Sequence, residues 1–159
     1  MFERFTRDAK AAVSRSHAEA QAEGSPTIEA EHLLLALSRD EGPTGYVLQS
    51  AGLDADSIRT ALAGELEDGL GAVGVSTPDP DSLASAAPAV RSPRFATSAK
   101  LALERSLRVA QARGDRRLLC GHILVAILRA EVGTVPRALR LAGVDAAELT
   151  RRAEAAVGA

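Results

Sequence analysis

An internal duplication constrains the fold of this chain more than any other feature. Residues 4–41 align with residues 94–131 without a gap, and 16 of the 38 aligned positions are identical. After one inserted residue near Pro136, residues 50–62 align with residues 141–153. Two copies of one unit of roughly 65 residues account for nearly the whole chain.

The composition favours helices in each copy. Hydrophobic residues make up 46% of the 159 residues, yet there are only three Phe, one Tyr and no Trp, so small and aliphatic side chains fill the core. Helical spacing and N-cap residues, such as Thr6 and Asp54, predict four helices per copy. We therefore expect an all-α fold of two tandem pseudo-twofold four-helix repeats. Small residues should let the first helices of the two copies pack closely, with a core that includes Val13, Leu34, Leu37, Leu103, Leu124 and Ile127.

The domain organisation follows from the duplication. We expect residues 1–159 to form a single domain, with repeat 1 at residues 1–68 and repeat 2 at residues 94–159. Residues 69–93 are rich in Gly, Pro, Ser and Ala and lack periodicity, so they are predicted to be a linker. The second helix of repeat 1 is expected to begin at Thr27 or Ile28.

Charge and cysteine content narrow the functional classes. The net charge of −2 argues against nucleic acid as a partner. No stretch reaches the ~20 apolar residues of a membrane span, and the charged N-terminus does not resemble a signal peptide. The single Cys120 cannot form an internal disulfide, so a reducing cytoplasm is expected. We also expect a monomer. His32 and His122 occupy matched positions, which predicts a structural hydrogen bond made in both copies.

The sequence offers no catalytic site, metal site or cofactor site. No G-x-x-x-x-G-K-[ST] phosphate loop and no G-x-S-x-G motif occur. Cys120 and His122 without a second cysteine fall short of a zinc pattern. We therefore predict a protein that is not an enzyme and needs no cofactor.

Several segments resemble a known family. The opening MFERFT, the segment EAEHLLLAL followed by SRDEG, the segment AGLDADSIR and the second-copy segment RFATSAKLALERS are similar to the N-terminal domain of Clp/Hsp100 unfoldases of the ClpC type. The resemblance covers the entire chain. It implies a non-catalytic module that binds client proteins and adaptors of a Clp unfoldase, either recruiting them or competing for them.

The same resemblance implies a phosphoarginine site. Members that bind phosphoarginine have a Thr at the start of the first helix and a Glu just before the His of the second helix. Here those positions hold Thr6 and Glu31 in repeat 1, but Ala96 and Gly121 in repeat 2, so one site is expected to be kept and one lost. The alternative is that Thr6 is an ordinary N-cap and Glu31 an ordinary acidic residue in a first helical turn.

A second implied surface would bind cyclic peptide antibiotics. Actinobacterial relatives use the Phe of the N-terminal MF, an aromatic residue that opens the second repeat, and a Lys five places later. Those positions hold Phe2, Phe95 and Lys100. The alternative is that both rings pack in the core and that Lys100 is solvated. A small helical sensor or enzyme unrelated to Clp proteolysis remains the competing function.

Overall fold

The computed structural model describes residues 2–75 and 92–157. Within these residues there are eight α-helices, and the predicted all-α fold of two four-helix repeats is confirmed. Repeat 1 contains α1 (Arg7–Ala22), α2 (Ala30–Ser38), α3 (Pro43–Ser50) and α4 (Ala55–Ala72). Repeat 2 contains α5 (Thr97–Arg113), α6 (Cys120–Leu128), α7 (Thr134–Leu141) and α8 (Ala146–Val157). A short 3-10 turn covers Phe2–Arg4, and two short strands, β1 (Thr27–Ile28) and β2 (Arg94–Phe95), complete the fold.

Side-chain caps fix where several helices begin. The Thr6 hydroxyl accepts the N–H of Ala9 at 3.2 Å, and the Asp54 carboxylate accepts the N–H of Ser57 at 2.8 Å. Both predicted N-caps are thereby confirmed. The expected start of α2 at Thr27 or Ile28 is wrong, because those residues form β1 and the helix begins after Glu29.

The matched histidines stabilise the start of the second helix in each repeat. The N–H of Glu29 donates to Nδ1 of His32, and the N–H of Leu119 donates to Nδ1 of His122, both at 2.9 Å. Nε2 of each ring lies 2.8 Å from a carboxylate, that of Glu23 or of Asp115. The predicted structural hydrogen bond is confirmed in both copies.

The two repeats exchange contacts through the segments that precede their helices. β1 pairs in parallel with β2, which places Ile28 opposite Phe95, and Phe5 forms the equivalent bridge with Leu118. The N–H of Ala96 donates to the Ile28 carbonyl and the N–H of Thr6 donates to the Leu118 carbonyl, both at 2.9 Å. The start of the first helix of each repeat therefore lies beside the start of the second helix of the other repeat.

The core is centred on α2 and α6. All nine residues of α6 and seven of the nine residues of α2 are buried. The expectation that α1 and α5 pack on each other is wrong: α1 lies along α2 and α5 lies along α6, because each first helix covers the apolar second helix of its own repeat. The predicted core residues are buried: Val13, Leu34, Leu37, Leu103, Leu124 and Ile127.

The fourth helices also cross between repeats. α4 packs on α7 of repeat 2, whereas α8 packs on α6 and on α3 of repeat 1. α4 continues to Ala72 and thus extends into the predicted linker at residues 69–93, because its left-handed terminator is Gly74, with φ of 76°. Residues 76–91 of that linker lie outside the described residues. No helix in the described part of the chain is long and apolar enough to span a bilayer.

Candidate functional site

Two cavities lie at equivalent places in the two repeats. In each cavity, one repeat contributes the start of its first helix and the loop after its second helix. The other repeat contributes the start of its second helix. The Glu31 cavity has a volume of about 610 Å³ and is lined by residues 29–31, 96–98, 101, 102, 105, 127 and 130–137. The Gly121 cavity has a volume of about 250 Å³ and is lined by residues 6, 8, 40, 42–44, 119–121, 156 and 157.

The structure separates the two residues predicted to form one phosphoarginine site. Thr6 lines the Gly121 cavity, and Glu31 lines the Glu31 cavity beside Ala96. The pair predicted within repeat 1 is divided between the two cavities, because the exchanged segments combine the first helix of one repeat with the second helix of the other. Each cavity consequently keeps one of the two expected residues.

Glu31 is an available carboxylate in the larger cavity. It is half-buried in the first turn of α2, and no side chain in residues 2–75 and 92–157 bonds to it. Burial raises its pKa; the adjacent His32 opposes that shift, while Glu29 and Glu23 add to it. The neighbouring Glu29 is engaged, since it accepts hydrogen bonds from Thr27, at 3.1 Å, and from Ser98. A ligand cation can therefore reach Glu31 without displacing another side chain.

The opposite wall of the Glu31 cavity is the start of α5. Ala96 is the N-cap and has no side-chain acceptor for the first N–H groups, which leaves the positive end of the helix dipole uncapped. Arg105 also lines this wall, and its Nη1 donates to the Ala126 carbonyl at 3.2 Å. A carboxylate and a helix N-terminus thus face one cavity, an arrangement that suits a ligand carrying both a cationic and an anionic group.

The Gly121 cavity is chemically different. A Cβ placed on Gly121 would lie 2.3 Å from Cγ2 of Val157, so the last turn of α8 occupies the space that the side chain of Glu31 takes in the other repeat. The hydroxyl oxygen of Thr6 already accepts the hydrogen bond that caps α1. Asp8 and Asp40 also line the cavity. Burial, with a smaller contribution from Asp40, raises the pKa of the Cys120 thiol to about 12, so it stays protonated.

The three residues predicted to bind cyclic peptides lie on three different elements: the 3-10 turn, β2 and α5. The Phe2 ring is 40% exposed and meets the Phe5 ring edge-on, with centroids 4.9 Å apart. Phe95 is half-buried in β2 against the core, and Lys100 is exposed on α5. None of the three lines the Glu31 or the Gly121 cavity.

Sequence reasoning missed the apolar side chains at the Glu31 cavity. Leu101 and Val132 both line it and are 47% and 86% exposed. Their counterparts ninety residues earlier are Ala11 and Gly42, so a comparison of the two copies contained the signal. Within residues 2–75 and 92–157, no group of three or more His, Cys, Asp or Glu side chains is arranged to hold a metal ion.

Known proteins are similar to this chain. The Clp repeat (R) N-terminal domain family matches residues 4–88 and 94–159. The chloroplastic chaperone ClpC2 of Arabidopsis thaliana is 29% identical over 159 residues, covering 99% of this chain and 15% of that protein. Chaperone ClpB 1 of Parasynechococcus marenigrum (strain WH8102) is 38% identical over 65 residues, which cover 41% of this chain and 8% of that protein. The chain therefore spans less than a fifth of the length of these relatives.

Solved structures share the fold. The N-terminal domain of ClpD from Arabidopsis thaliana superposes with a TM-score of 0.74 at 24% identity, covering 100% of this chain and 97% of that one. The Hsp104 N-terminal domain from Candida albicans superposes with a TM-score of 0.66 at 19% identity, covering 95% of this chain and 89% of that one. With both repeats matched by the family, this chain belongs to the Clp repeat N-terminal domain family.

Proposed function

We propose that this protein is a non-catalytic binding module of the Clp system, which takes phosphoarginine-marked client proteins into the Glu31 cavity. The observation that carries the proposal is the half-buried Glu31 carboxylate, to which no other side chain of the described residues bonds, facing the start of α5, where no side chain caps the helix. A guanidinium pairs with the carboxylate, and the phosphate attached to it accepts N–H groups from the first turn of α5.

The Gly121 cavity supports no equivalent role. It has no carboxylate at position 121, and its helix start is already capped by Thr6. We therefore expect one ligand per chain, and weaker capture of multiply marked clients than in a two-site relative, because avidity is lost.

Calorimetric titration with a phosphoarginine peptide tests the proposal. Glu31→Gln should weaken binding by about 10- to 100-fold, since hydrogen bonds to charged groups are worth roughly 1.5–3 kcal/mol. Glu41→Gln makes the same chemical change on an exposed residue of repeat 1 outside both cavities, and Thr6→Ala alters the other cavity. Neither control should change the affinity.

Two results would reject the Glu31 cavity as the one binding site. A stoichiometry of two ligands per chain would mean that the Gly121 cavity also binds. Equal affinities for the wild type and Glu31→Gln would place the ligand elsewhere. If no peptide binds and the protein does not associate with a Clp unfoldase, a helical sensor or enzyme unrelated to Clp proteolysis becomes the better hypothesis.

The cyclic peptide surface is a second candidate, supported by the exposed ring of Phe2. Phe2→Ala should weaken binding of a hydrophobic cyclic peptide by about 1–3 kcal/mol if the ring is an anchor. Because Phe2 also contacts Phe5, the melting temperature of the same variant must be measured. Lower stability with unchanged affinity would remove Phe2 from the binding surface.

A further inference from the structure

The rim of the Glu31 cavity carries two large apolar side chains at positions where the other repeat has small residues. The rim consists of Leu101 on α5 and Val132 in the loop between α6 and α7, and both side chains are largely exposed. The equivalent positions in repeat 1 are Ala11 and Gly42. Larger apolar side chains thus occur at the cavity that also carries the available carboxylate, and the cost of exposing them to water is offset when a ligand covers them.

The lining shows which charge the occupant should carry. Three carboxylates, those of Glu29, Glu31 and Glu131, line the cavity. The cations that line it are engaged: Arg137 pairs with Glu65 at 2.8 Å, and Arg105 donates to a backbone carbonyl. The guanidinium of the ligand should therefore face these carboxylates, while its phosphate is directed to the N–H groups that begin α5. The volume of 610 Å³ lies within the roughly 300–1,000 Å³ typical of ligand pockets, so the space accepts more than one side chain.

We infer that the cavity selects a peptide in which an apolar residue lies within two positions of the arginine-derived residue. Glu31 holds the guanidinium, while Leu101 and Val132 cover the apolar neighbour. This inference rests on the proposed function and adds a sequence preference to it. It also explains why Val132, exposed at the tip of its loop, is a valine rather than a polar residue.

Three phosphoarginine peptides of equal length test the preference. They differ only at the two positions on each side of the phosphoarginine, which carry Gly, Leu or Ser in all four places. The Leu peptide should bind the wild type at least about fivefold more tightly than the Gly and Ser peptides, because apolar surface is buried only with leucine. In the double variant Leu101→Ser, Val132→Ser this ratio should fall below about twofold, because the Leu peptide loses its apolar contacts.

A matched control separates the rim from exposed apolar surface in general. Tyr46 on α3 is 72% exposed and lines neither cavity, so Tyr46→Ser should leave the preference for the Leu peptide intact. Equal binding of the three peptides by the wild type would overturn the inference and leave the proposed function standing, as would a preference that survives in the double variant. Failure of all three peptides to bind would instead reject the proposed function.

Discussion

The Glu31 and Gly121 cavities are formed by equivalent backbone segments but are lined by different side chains. Both lie where the start of a first helix meets the start of the second helix from the other repeat. One keeps a carboxylate, apolar walls and an uncapped helix start. The other has a glycine, a capped helix start and the end of α8 in the corresponding space. The duplication thus gave two cavities with the same backbone arrangement, and a few side chains determine which of them is suited to a ligand.

The fourth helices explain part of this difference. Leu66 of α4 and Val157 of α8 are equivalent residues, yet Leu66 is 51% exposed while Val157 lies against Gly121. α8 packs closely on α6, whereas α4 makes its main contact with α7. α8 can approach α6 this closely only because position 121 has no side chain. The same glycine therefore accounts both for the narrower cavity and for the absence of a carboxylate in it.

The largest expected asymmetry concerns the phenylalanines behind the two cavities. Phe5 is fully buried and precedes Thr6, whereas its counterpart Phe95 is only half-buried and precedes Ala96. Phe5→Ala should lower the free energy of unfolding by about 3–5 kcal/mol, and Phe95→Ala by about half as much, because less apolar surface leaves the core. Urea denaturation of both variants measures the difference. Equal losses of unfolding free energy would mean that Phe5 and Phe95 are equally well packed.

Gly121 provides the next test. Gly121→Ala should destabilise the protein by about 1–3 kcal/mol through overpacking against Val157, despite the better helix propensity of alanine. In a Val157→Ala background the same change should become neutral or stabilising by up to about 1 kcal/mol. Thermal unfolding of the four proteins completes the cycle. If Gly121→Ala has the same effect in both backgrounds, Val157 does not limit the cavity.

The caps of the first helices should respond in opposite directions. Thr6→Ala removes the cap of α1 and should cost about 1 kcal/mol, whereas Ala96→Thr gives α5 a new cap and should gain a similar amount. Chemical denaturation of each variant gives these values. A destabilising Ala96→Thr would indicate that the cavity wall has no room for the larger side chain.

The sequence was sufficient for the repeats, the helices and most of the core, because local spacing and caps such as Thr6 and Asp54 act within a few residues. It was not sufficient to predict that Thr6 shares a cavity with Gly121 and that Glu31 shares one with Ala96. An offset of ninety residues is equally compatible with contacts inside one repeat and contacts exchanged between repeats. The pairing of β1 with β2 and the bridge between Phe5 and Leu118 show that the contacts are exchanged between repeats. The resemblance supplied Glu31, while the rim residues Leu101 and Val132 differ between the copies and were overlooked.

The smallest expected effect is the pH dependence of Glu31, which has no counterpart at Gly121. Burial raises its pKa above the ordinary value of 4.5 in the folded protein, so the folded state holds this proton more tightly than the unfolded chain does. The wild type should therefore gain stability relative to Glu31→Gln as the pH falls through the raised pKa, and the gain should be complete below pH 4.5. Binding of the phosphoarginine peptide should weaken over the same interval, because a protonated carboxyl group cannot pair with a guanidinium. Urea denaturation of both proteins between pH 7 and pH 4 isolates this contribution, since every other titrating group is common to the pair. A stability difference that does not change with pH would show that Glu31 is fully hydrated, and the asymmetry between the two cavities would then lie in their shape alone.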